Sequence, residues 1–196
     1  MNISAFRCIV ADPPWPYEIR GPASSKEHRP NSHGAATSSV ERYGAMSIAE
    51  LCELKPQADK NAHCYIWTTN SFLVEAHTVA RAWGFVPKTL LTWGKLKADG
   101  TPSMKTGFYF RGATEHCLFC VRGSLRLNDT KARPTLYLSE RMPHSRKPEW
   151  FYRLVEESSP APYLEMFARR KRHGWASWGN EIASDVEMPN TTTTTT

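Results

Sequence analysis

The sequence has no long apolar run. Its longest strictly apolar stretch is the five residues from Cys117 to Val121, whereas a helix that crosses a bilayer needs about 20 such residues. The N-terminal residues Met1 to Ser4 also lack the basic and apolar segments of a secretory signal. These absences predict a cytoplasmic protein that has no membrane partner.

Cysteine is sparse, and its pattern predicts neither disulfides nor a metal site. The five cysteines are scattered and odd in number, which is typical of a reducing compartment. Cys117 and Cys120 have C-x-x-C spacing, but they lie in a strand-like run without a second pair, so we interpret them as core residues. His63, His77 and His116 fall within predicted elements rather than at ligand spacing. We therefore predict no metal.

Internal repeats are absent, and a chain of 196 residues is too short for two ordinary domains. We expect a single domain over residues 1–186, followed by a disordered Thr-rich tail over residues 187–196. The net charge of +6 suits a nucleic-acid partner, although an excess of this size is common on unrelated proteins.

The most informative motif is Asp12-Pro13-Pro14-Trp15, which directly follows a buried-strand pattern. Two consecutive prolines have a fixed φ and no N–H, so they predict a stiff turn whose carbonyls the sheet leaves unpaired. The Asp12 carboxylate and the Pro13 carbonyl could then accept both hydrogens of an exocyclic amine, while Trp15 offers a ring face for stacking. Such acceptors make the nitrogen a better nucleophile and stabilise the positive charge it acquires. At this point adenine, cytosine and guanine amines all fit.

Short apolar runs separated by helical patterns predict an α/β fold. Strands are predicted at Phe6–Ala11, His63–Thr68, Thr89–Trp93, His116–Val121 and Tyr163–Ala168. Helices are predicted at Ser71–Trp83, with Asn70 or Ser71 as N-cap and Gly84 as stop, at Pro148 to about Glu157, and at Met46–Leu54 with Ser47 as cap. Irregular structure is predicted for Glu18–Gly44, Lys97–Thr114 and Gly123–Ser145.

The first irregular segment directly follows the proline motif and is placed to fold over whatever the motif binds. It carries Arg20, Lys26 and Arg29, which can meet phosphates; a solvated loop is an equal alternative. Tyr17 and Tyr43 fall near the ends of the segment. We therefore treat all five side chains as candidates for substrate contact.

A second concentration of charge lies where the predicted strand Tyr163–Ala168 runs into Arg169–His173. In open parallel sheets, ligands bind beyond the carboxyl ends of the strands, and an acidic side chain there can hold ribose hydroxyls. This pattern favours a nucleotide site, with a solvated basic loop as the alternative.

From about Phe6 to Ile182, the motifs follow one order that belongs to a known family. The segments are Asp12–Trp15, Tyr43–Ser47, Tyr65–Thr69, Ala82–Phe85, Leu91–Lys95, Glu115–Leu118, Val121–Gly123, Ser145–Glu149, Glu165–Arg169 and Trp178–Glu181. In these segments the chain resembles the family of the 70-kDa catalytic subunit of messenger-RNA adenosine N6-methyltransferase, in its short bacterial and phage branch.

The resemblance implies a Rossmann-like S-adenosylmethionine-dependent methyltransferase fold, with a mostly parallel sheet flanked by helices. The implied order is permuted, with the catalytic motif N-terminal and the cofactor half C-terminal. The implied reaction is methyl transfer to the exocyclic N6 amine of adenine in DNA, on a base that is single-stranded or flipped out. Adenosine in RNA and a non-catalytic nucleic-acid-binding subunit are the alternatives. Because so little chain lies beyond the catalytic core, we expect loose sequence specificity or a homodimer whose second copy supplies the DNA surface.

The resemblance also implies roles for individual residues. The implied catalytic residues are Asp12, Pro13, Pro14 and Trp15. The implied contacts of S-adenosylmethionine are Asp12, Lys147, Glu165, Phe167, Arg169, Asn180 and Glu181. Lys147 stands directly before Pro148, where the positive helix end and the ammonium both favour a carboxylate such as that of methionine. Glu181 stands where the larger members of the family have Gln, so it keeps an acceptor and loses a donor.

Overall fold

The computed structural model describes residues 5–17, 44–105, 109–142 and 146–188. Within these ranges the strands are β1 (Phe6–Ala11), β2 (Ala58–Thr68), β3 (Val86–Leu96), β4 (Thr114–Arg122), β5 (Leu136–Glu140), β6 (Tyr163–Met166) and β7 (Trp175–Trp178). The helices are α1 (Ile48–Glu53), α2 (Leu73–Ala82), which a 3₁₀ turn at Asn70–Phe72 precedes, and α3 (Glu149–Ser158). None of these helices has the length and apolar character needed to cross a bilayer.

The described strands form one sheet in the order β5-β3-β4-β2-β1-β6-β7. Strand β4 is antiparallel to both of its neighbours, and all the other pairs are parallel. The predicted α/β fold with a mostly parallel sheet is therefore confirmed. Strand β1 lies between β2 and β6, so the chain leaves β1 at the point where the strand order reverses, which is where ligands gather in sheets of this kind.

Strand β1 is apolar on both faces because both faces are covered. Ile9 packs in a cluster with side chains of α1 and α2, including Leu51 and Val79. Val10, which points the other way, packs in a second cluster with Phe151 of α3. The sheet is thus a middle layer between helices, and it holds the end of β1 rigidly.

The predicted ends of the helices are partly correct. The Ser47 hydroxyl accepts a hydrogen bond from the Glu50 N–H at 3.2 Å, and the Glu50 carboxylate accepts one from the Ser47 N–H at 2.7 Å. Ser47 therefore caps α1 as predicted. Gly84 ends α2 with a φ of +80°, also as predicted. The prediction that Asn70 or Ser71 caps this helix is wrong, because the 3₁₀ turn precedes it and no side chain caps either start.

Two strands were not predicted, and both lie at the edges of the sheet. Strand β5 falls inside the segment Gly123–Ser145 that was predicted to be irregular; its residues alternate between exposed and half-buried, and its partner β3 stabilises it. Strand β7 has β6 as its one partner among the described strands. Strand β6 ends earlier than predicted because Phe167 turns out of the sheet with a φ of +60°.

The boundary of the predicted Thr-rich tail is placed too early. Met188 is 5% exposed and packs in the cluster that contains Ile9, so the ordered chain continues past residue 187. Residues 189–196 lie outside the described ranges.

Candidate functional site

The proline motif forms a tight turn at the carboxyl end of β1. The Trp15 N–H donates to the Pro13 carbonyl at 2.9 Å, and the Met46 N–H donates to the Pro14 carbonyl at 3.1 Å. The Pro13 carbonyl is outside the sheet, as predicted, but the turn itself uses one of its two acceptor positions. One lone pair of this carbonyl therefore remains for a ligand.

Trp15 does not offer a free ring face, and that part of the prediction is wrong. The side chain is 4% exposed, and its ring stacks on Phe72 with the centroids 5.5 Å apart. Its indole N–H donates to the Trp67 carbonyl at 3.0 Å. Trp15 therefore fastens the turn to the end of β2, because burying a large aromatic ring there is more favourable than exposing it.

A line of alternating charges begins at Asp12. The Lys147 ammonium lies 2.8 Å from the Asp12 carboxylate and 3.3 Å from Glu115. The other oxygen of Glu115 pairs with Lys95, and the Lys105 ammonium is 3.6 Å from it. Asp12 is the most exposed carboxylate of the line, at 35% of its side chain, whereas Glu115 is 15% exposed. Asp12 is therefore the carboxylate that ligands can reach, whereas the charge of Glu115 is compensated by the neighbouring lysines.

Burial and pairing together set the charge states in this line. Burial by itself lowers the pKa of Lys147, but the Asp12 and Glu115 carboxylates raise that pKa well above its ordinary value. Burial by itself raises the pKa of Glu115, yet the ammonium groups of Lys147 and Lys95 bring it down to about 2. At neutral pH Lys147 is therefore a cation and Glu115 an anion, and Lys147 also lies 4.9 Å from the centre of the Trp67 ring.

A cleft of about 240 Å³ opens beside Asp12 at the carboxyl edge of the sheet. It is lined by Val10, Asp12, Trp67, Arg146, Lys147, Tyr152, Glu165, Phe167, Arg169, Arg170 and Glu181. Six of the seven residues implied to contact the cofactor are in this lining. The seventh, Asn180, is exposed in the turn beside Glu181. Residues far apart in the sequence thus meet where the order of the strands reverses.

The cleft also contains a carboxylate that accepts a hydrogen bond from a phenol. The Tyr152 hydroxyl donates to the Glu165 carboxylate at 2.7 Å. Burial raises the pKa of Glu165, while the hydrogen bond from Tyr152 lowers it. Farther along, the Arg169 guanidinium is 4.0 Å from the Glu181 carboxylate. The cleft therefore offers carboxylates and cations at several points along its length.

Phe167 adopts an uncommon backbone conformation at this cleft. Its φ of +60° is in the left-handed region, which a side chain other than glycine seldom occupies. The ring is 6% exposed and packs edge-on against Trp178, with the centroids 5.3 Å apart. Strain of this kind is concentrated at functional sites.

Of the five predicted substrate contacts, only Tyr17 lies in the described ranges. Its side chain is 41% exposed, and its hydroxyl hydrogen-bonds the Thr69 hydroxyl at 2.8 Å. Burial raises the pKa of Tyr17, and the nearby Asp12 and Glu115 carboxylates raise it further. Arg20, Lys26, Arg29 and Tyr43 lie outside the described residues.

Several site residues were missed by reading the sequence. Trp67, Glu115, Lys95 and Tyr152 were given no role in the site. Glu115 begins the segment Glu115–Leu118, which the chain shares with the family, and this could have marked it as a site residue. Its position at the cleft, however, depends on β4 being antiparallel. Only in that direction does the start of the strand, rather than its end, lie at the edge that holds the cleft.

Cys117, Cys120, His63 and His116 take structural positions. Cys117 and Cys120 are free and buried, which confirms that they are core residues. His63 hydrogen-bonds the Ser159 hydroxyl at 2.8 Å, and His116 hydrogen-bonds Thr92 at 3.0 Å. Over the described residues, no three His, Cys, Asp or Glu side chains are grouped as a metal site.

Gly179 allows the segment that contains Phe167 and the segment that contains Glu181 to pack closely against each other. A Cβ atom at this position would lie 2.2 Å from the Ala168 carbonyl oxygen, so Gly179→Ala should push the segment of Phe167 away from that of Glu181. We expect a loss of about 1–3 kcal/mol in the free energy of unfolding, measured by thermal denaturation. Gly112→Ala is the control, because a Cβ there meets nothing within 4 Å; equal melting temperatures for the two variants would contradict the prediction.

Comparison with known proteins gives a consistent result. The family model described as MT-A70 matches residues 6–181. The chain is 26% identical over 190 residues to a putative N(6)-adenosine-methyltransferase MT-A70-like protein of Medicago truncatula, covering 92% of this chain and 27% of that protein. It spans about a quarter of the length of the plant relatives that it matches.

Two microbial relatives match over a larger share of their length. The type II methyltransferase M.MunI of a Mycoplasma species is 26% identical over 196 residues, covering 94% of this chain and 81% of that protein. The N6-methyladenosine RNA methyltransferase MTA1 of Cryphonectria parasitica is 31% identical over 189 residues, covering 90% of this chain and 52% of that protein.

Proposed function

Because the chain belongs to the MT-A70 family, we propose that it is an S-adenosylmethionine-dependent methyltransferase that modifies the exocyclic N6 amine of adenine in DNA. The observation that carries the proposal is the position of Asp12. Its carboxylate stands at the switch point of the sheet, pairs with Lys147 at 2.8 Å and borders the cleft that contains the other cofactor candidates.

The residues of the cleft fit S-adenosylmethionine in their chemistry. Carboxylates such as Glu165 and Glu181 suit an amine and ribose hydroxyls, and the Lys147 ammonium suits a carboxylate. Trp67 lines the cleft and has a buried indole N–H without an acceptor among the described residues, so a donor is available to a ligand. Bound there, the cofactor supplies an electrophilic methyl group.

The chain's own part in the reaction is to hold and polarise the target amine. Asp12 accepts one amine hydrogen and the remaining lone pair of the Pro13 carbonyl accepts the other. Both acceptors are fixed before the base arrives, because the prolines stiffen the turn and Lys147 holds the Asp12 carboxylate. Preorganised acceptors stabilise the positive charge that grows on the nitrogen without any rearrangement at the moment of reaction.

DNA is chosen because the type II methyltransferase M.MunI is matched over 81% of its own length. RNA is the second candidate, because the RNA methyltransferase MTA1 has the higher identity of 31%. A non-catalytic subunit is disfavoured by the intact proline motif and the pairing of Asp12 with Lys147.

We also propose that the protein is cytoplasmic and acts as a homodimer. A second copy would enlarge the surface available to a nucleic acid beyond that of one small chain. Leu136 and Leu138 on the edge strand β5 are 54% and 62% exposed, and such apolar edges favour association.

Transfer of a labelled methyl group tests the proposed reaction. The protein is incubated with S-adenosylmethionine labelled in its methyl group and with single-stranded DNA, duplex DNA or RNA of the same sequence, and the product is digested to nucleosides. We expect label in N6-methyldeoxyadenosine and none with oligonucleotides that lack adenine. Label confined to N6-methyladenosine from RNA would favour the second candidate, and its absence from every N6-methylated adenine would refute both.

A further inference from the structure

Glu165 has a fixed partner on only one of its two oxygens. It lies on β6 opposite Val10 of β1, and its Oε1 accepts the hydrogen bond from the Tyr152 hydroxyl at 2.7 Å. No described residue donates a hydrogen bond to the other oxygen. Because Glu165 lines the cleft, that second oxygen is available to a ligand.

Tyr152 itself is held firmly. It is 3% exposed, and the Arg172 guanidinium lies 3.7 Å from the centre of its ring. Arg172 in turn donates to the Glu149 carboxylate at 2.7 Å, and the Trp175 ring packs edge-on against Tyr152 with the centroids 5.8 Å apart. The phenol is therefore fixed by α3 and by the segment that leads into β7, and it cannot follow Glu165 if that side chain turns.

The charge of Glu165 depends on the same contact. Burial favours the neutral acid and raises its pKa, whereas the Tyr152 hydroxyl and the charges of Arg172 and Arg170 favour the carboxylate. Glu165 pairs in register with Val10, two residues before Asp12, which puts Glu165 towards the Asp12 end of the cleft. A carboxylate there attracts a cation, and a neutral acid does not.

We propose that Tyr152 is a positioning residue, which holds Glu165 with one oxygen free for a cationic group of the ligand in the cleft. The inference rests on the proposed function, because S-adenosylmethionine carries two such groups, its sulfonium and its ammonium. Tyr152 acts through Glu165 and has no role in the transfer of the methyl group.

Tyr152→Phe tests the inference, because it removes the hydroxyl and keeps the ring under Arg172. The affinity is measured by calorimetry for S-adenosylmethionine, for S-adenosylhomocysteine, which lacks the sulfonium charge, and for methylthioadenosine, which lacks both cations. We expect S-adenosylmethionine to bind about tenfold more weakly to the variant and methylthioadenosine to bind as it does to the wild type. A parallel loss for S-adenosylhomocysteine assigns the contact to the ammonium, and an unchanged affinity for it assigns the contact to the sulfonium.

The pH dependence gives a second readout that a merely structural role would not change. Loss of the donated hydrogen bond raises the pKa of Glu165, so the pH below which S-adenosylmethionine affinity falls should move upward in Tyr152→Phe. Tyr163→Phe is the matched control, because it removes a hydroxyl that donates to the Ser159 carbonyl at 2.9 Å and should leave both affinity and pH profile unchanged.

The possible failures are distinct. Wild-type protein that does not bind S-adenosylmethionine overturns the proposed function and this inference with it. Wild-type protein that binds, together with a Tyr152→Phe variant of equal affinity and pH profile, overturns the inference alone. A variant that loses all three ligands equally has suffered general damage to the cleft, and that result also overturns a role specific to the cationic group.

Discussion

Replacing Asp12 with alanine should reduce methyl transfer by about 10³-fold or more and leave the fold intact. In the proposed reaction the variant loses the charged acceptor that polarises the target amine, and the Pro13 carbonyl alone cannot engage both hydrogens. The fold should survive because Lys147 keeps its second partner, Glu115, at 3.3 Å. The measurements are the turnover of labelled S-adenosylmethionine, its affinity by calorimetry, and the melting temperature.

Two control variants separate charge from shape. Asp12→Asn keeps the size and one acceptor oxygen, so its activity should fall between those of the wild type and Asp12→Ala. Asp59→Ala removes a carboxylate at the start of β2, where it accepts the Asn61 N–H at 2.8 Å, and should turn over like the wild type. Substantial turnover by Asp12→Ala would show that this carboxylate is not the main acceptor.

Lys147→Met should produce the largest loss of stability among these variants. Its side chain is 10% exposed and lies between two carboxylates, so the substitution leaves Asp12 and Glu115 facing each other with less compensation. Removing one partner from a buried ion pair costs about 3–5 kcal/mol, which lowers the melting temperature of a domain of this size by roughly 10 °C. Turnover should fall as well, because the Asp12 carboxylate is no longer held.

The same variant should lose less stability than the wild type as the pH falls below 4.5. In the wild type the pKa of Glu115 is lowered from its ordinary 4.5 to about 2, so its contribution to stability is complete above pH 4.5 and is lost as the pH falls towards 2. Without the Lys147 ammonium the pKa of Glu115 is lowered less, so a smaller contribution to stability is lost over this pH range. The free energy of unfolding in urea, measured from pH 3 to 8, gives this profile directly.

Lys105→Met is the matched control for Lys147→Met. The Lys105 ammonium faces the same Glu115 carboxylate at 3.6 Å, but its side chain is 49% exposed, and exposed pairs contribute about 0–1 kcal/mol. Lys147→Arg, which keeps the charge, should recover part of the lost stability. If Lys147→Met and Lys105→Met were equally stable, the buried line of charges would not support the fold in the way we describe.

The centre of the fold could be predicted from the sequence because local and tertiary preferences agree there. Strand β1 is apolar except for Arg7 and is followed by Asp12 and two prolines, and its observed bounds are those predicted. Helix α1 begins at Ser47, which has the capping partner Glu50 three residues later. Where the local signal and the packing act in the same direction, the pattern alone is sufficient.

The edges of the sheet could not be predicted, for a physical reason. Strand β5 has one neighbour among the described strands, and its leucines, Leu136 and Leu138, are on the exposed face, so its sequence does not alternate apolar-buried with polar-exposed residues. The contacts within the site could not be predicted from periodicity either. The stacking of Trp15 on Phe72 and the ion pair of Glu115 with Lys147 join segments that are distant in the sequence. Periodicity does not encode such contacts.

The place of β1 in the sheet also determines when the cleft can form during synthesis. Cys8 of β1 is aligned with His63 of β2 and with Tyr163 of β6, so one side of the strand finds its partner early and the other side very late. At about 5–20 residues per second, the ribosome needs seconds more to pass from β5 to β6, and until then β1 has an unpaired edge that can associate with other chains. The growing chain therefore carries an unpaired edge of β1 at the position that becomes the cleft.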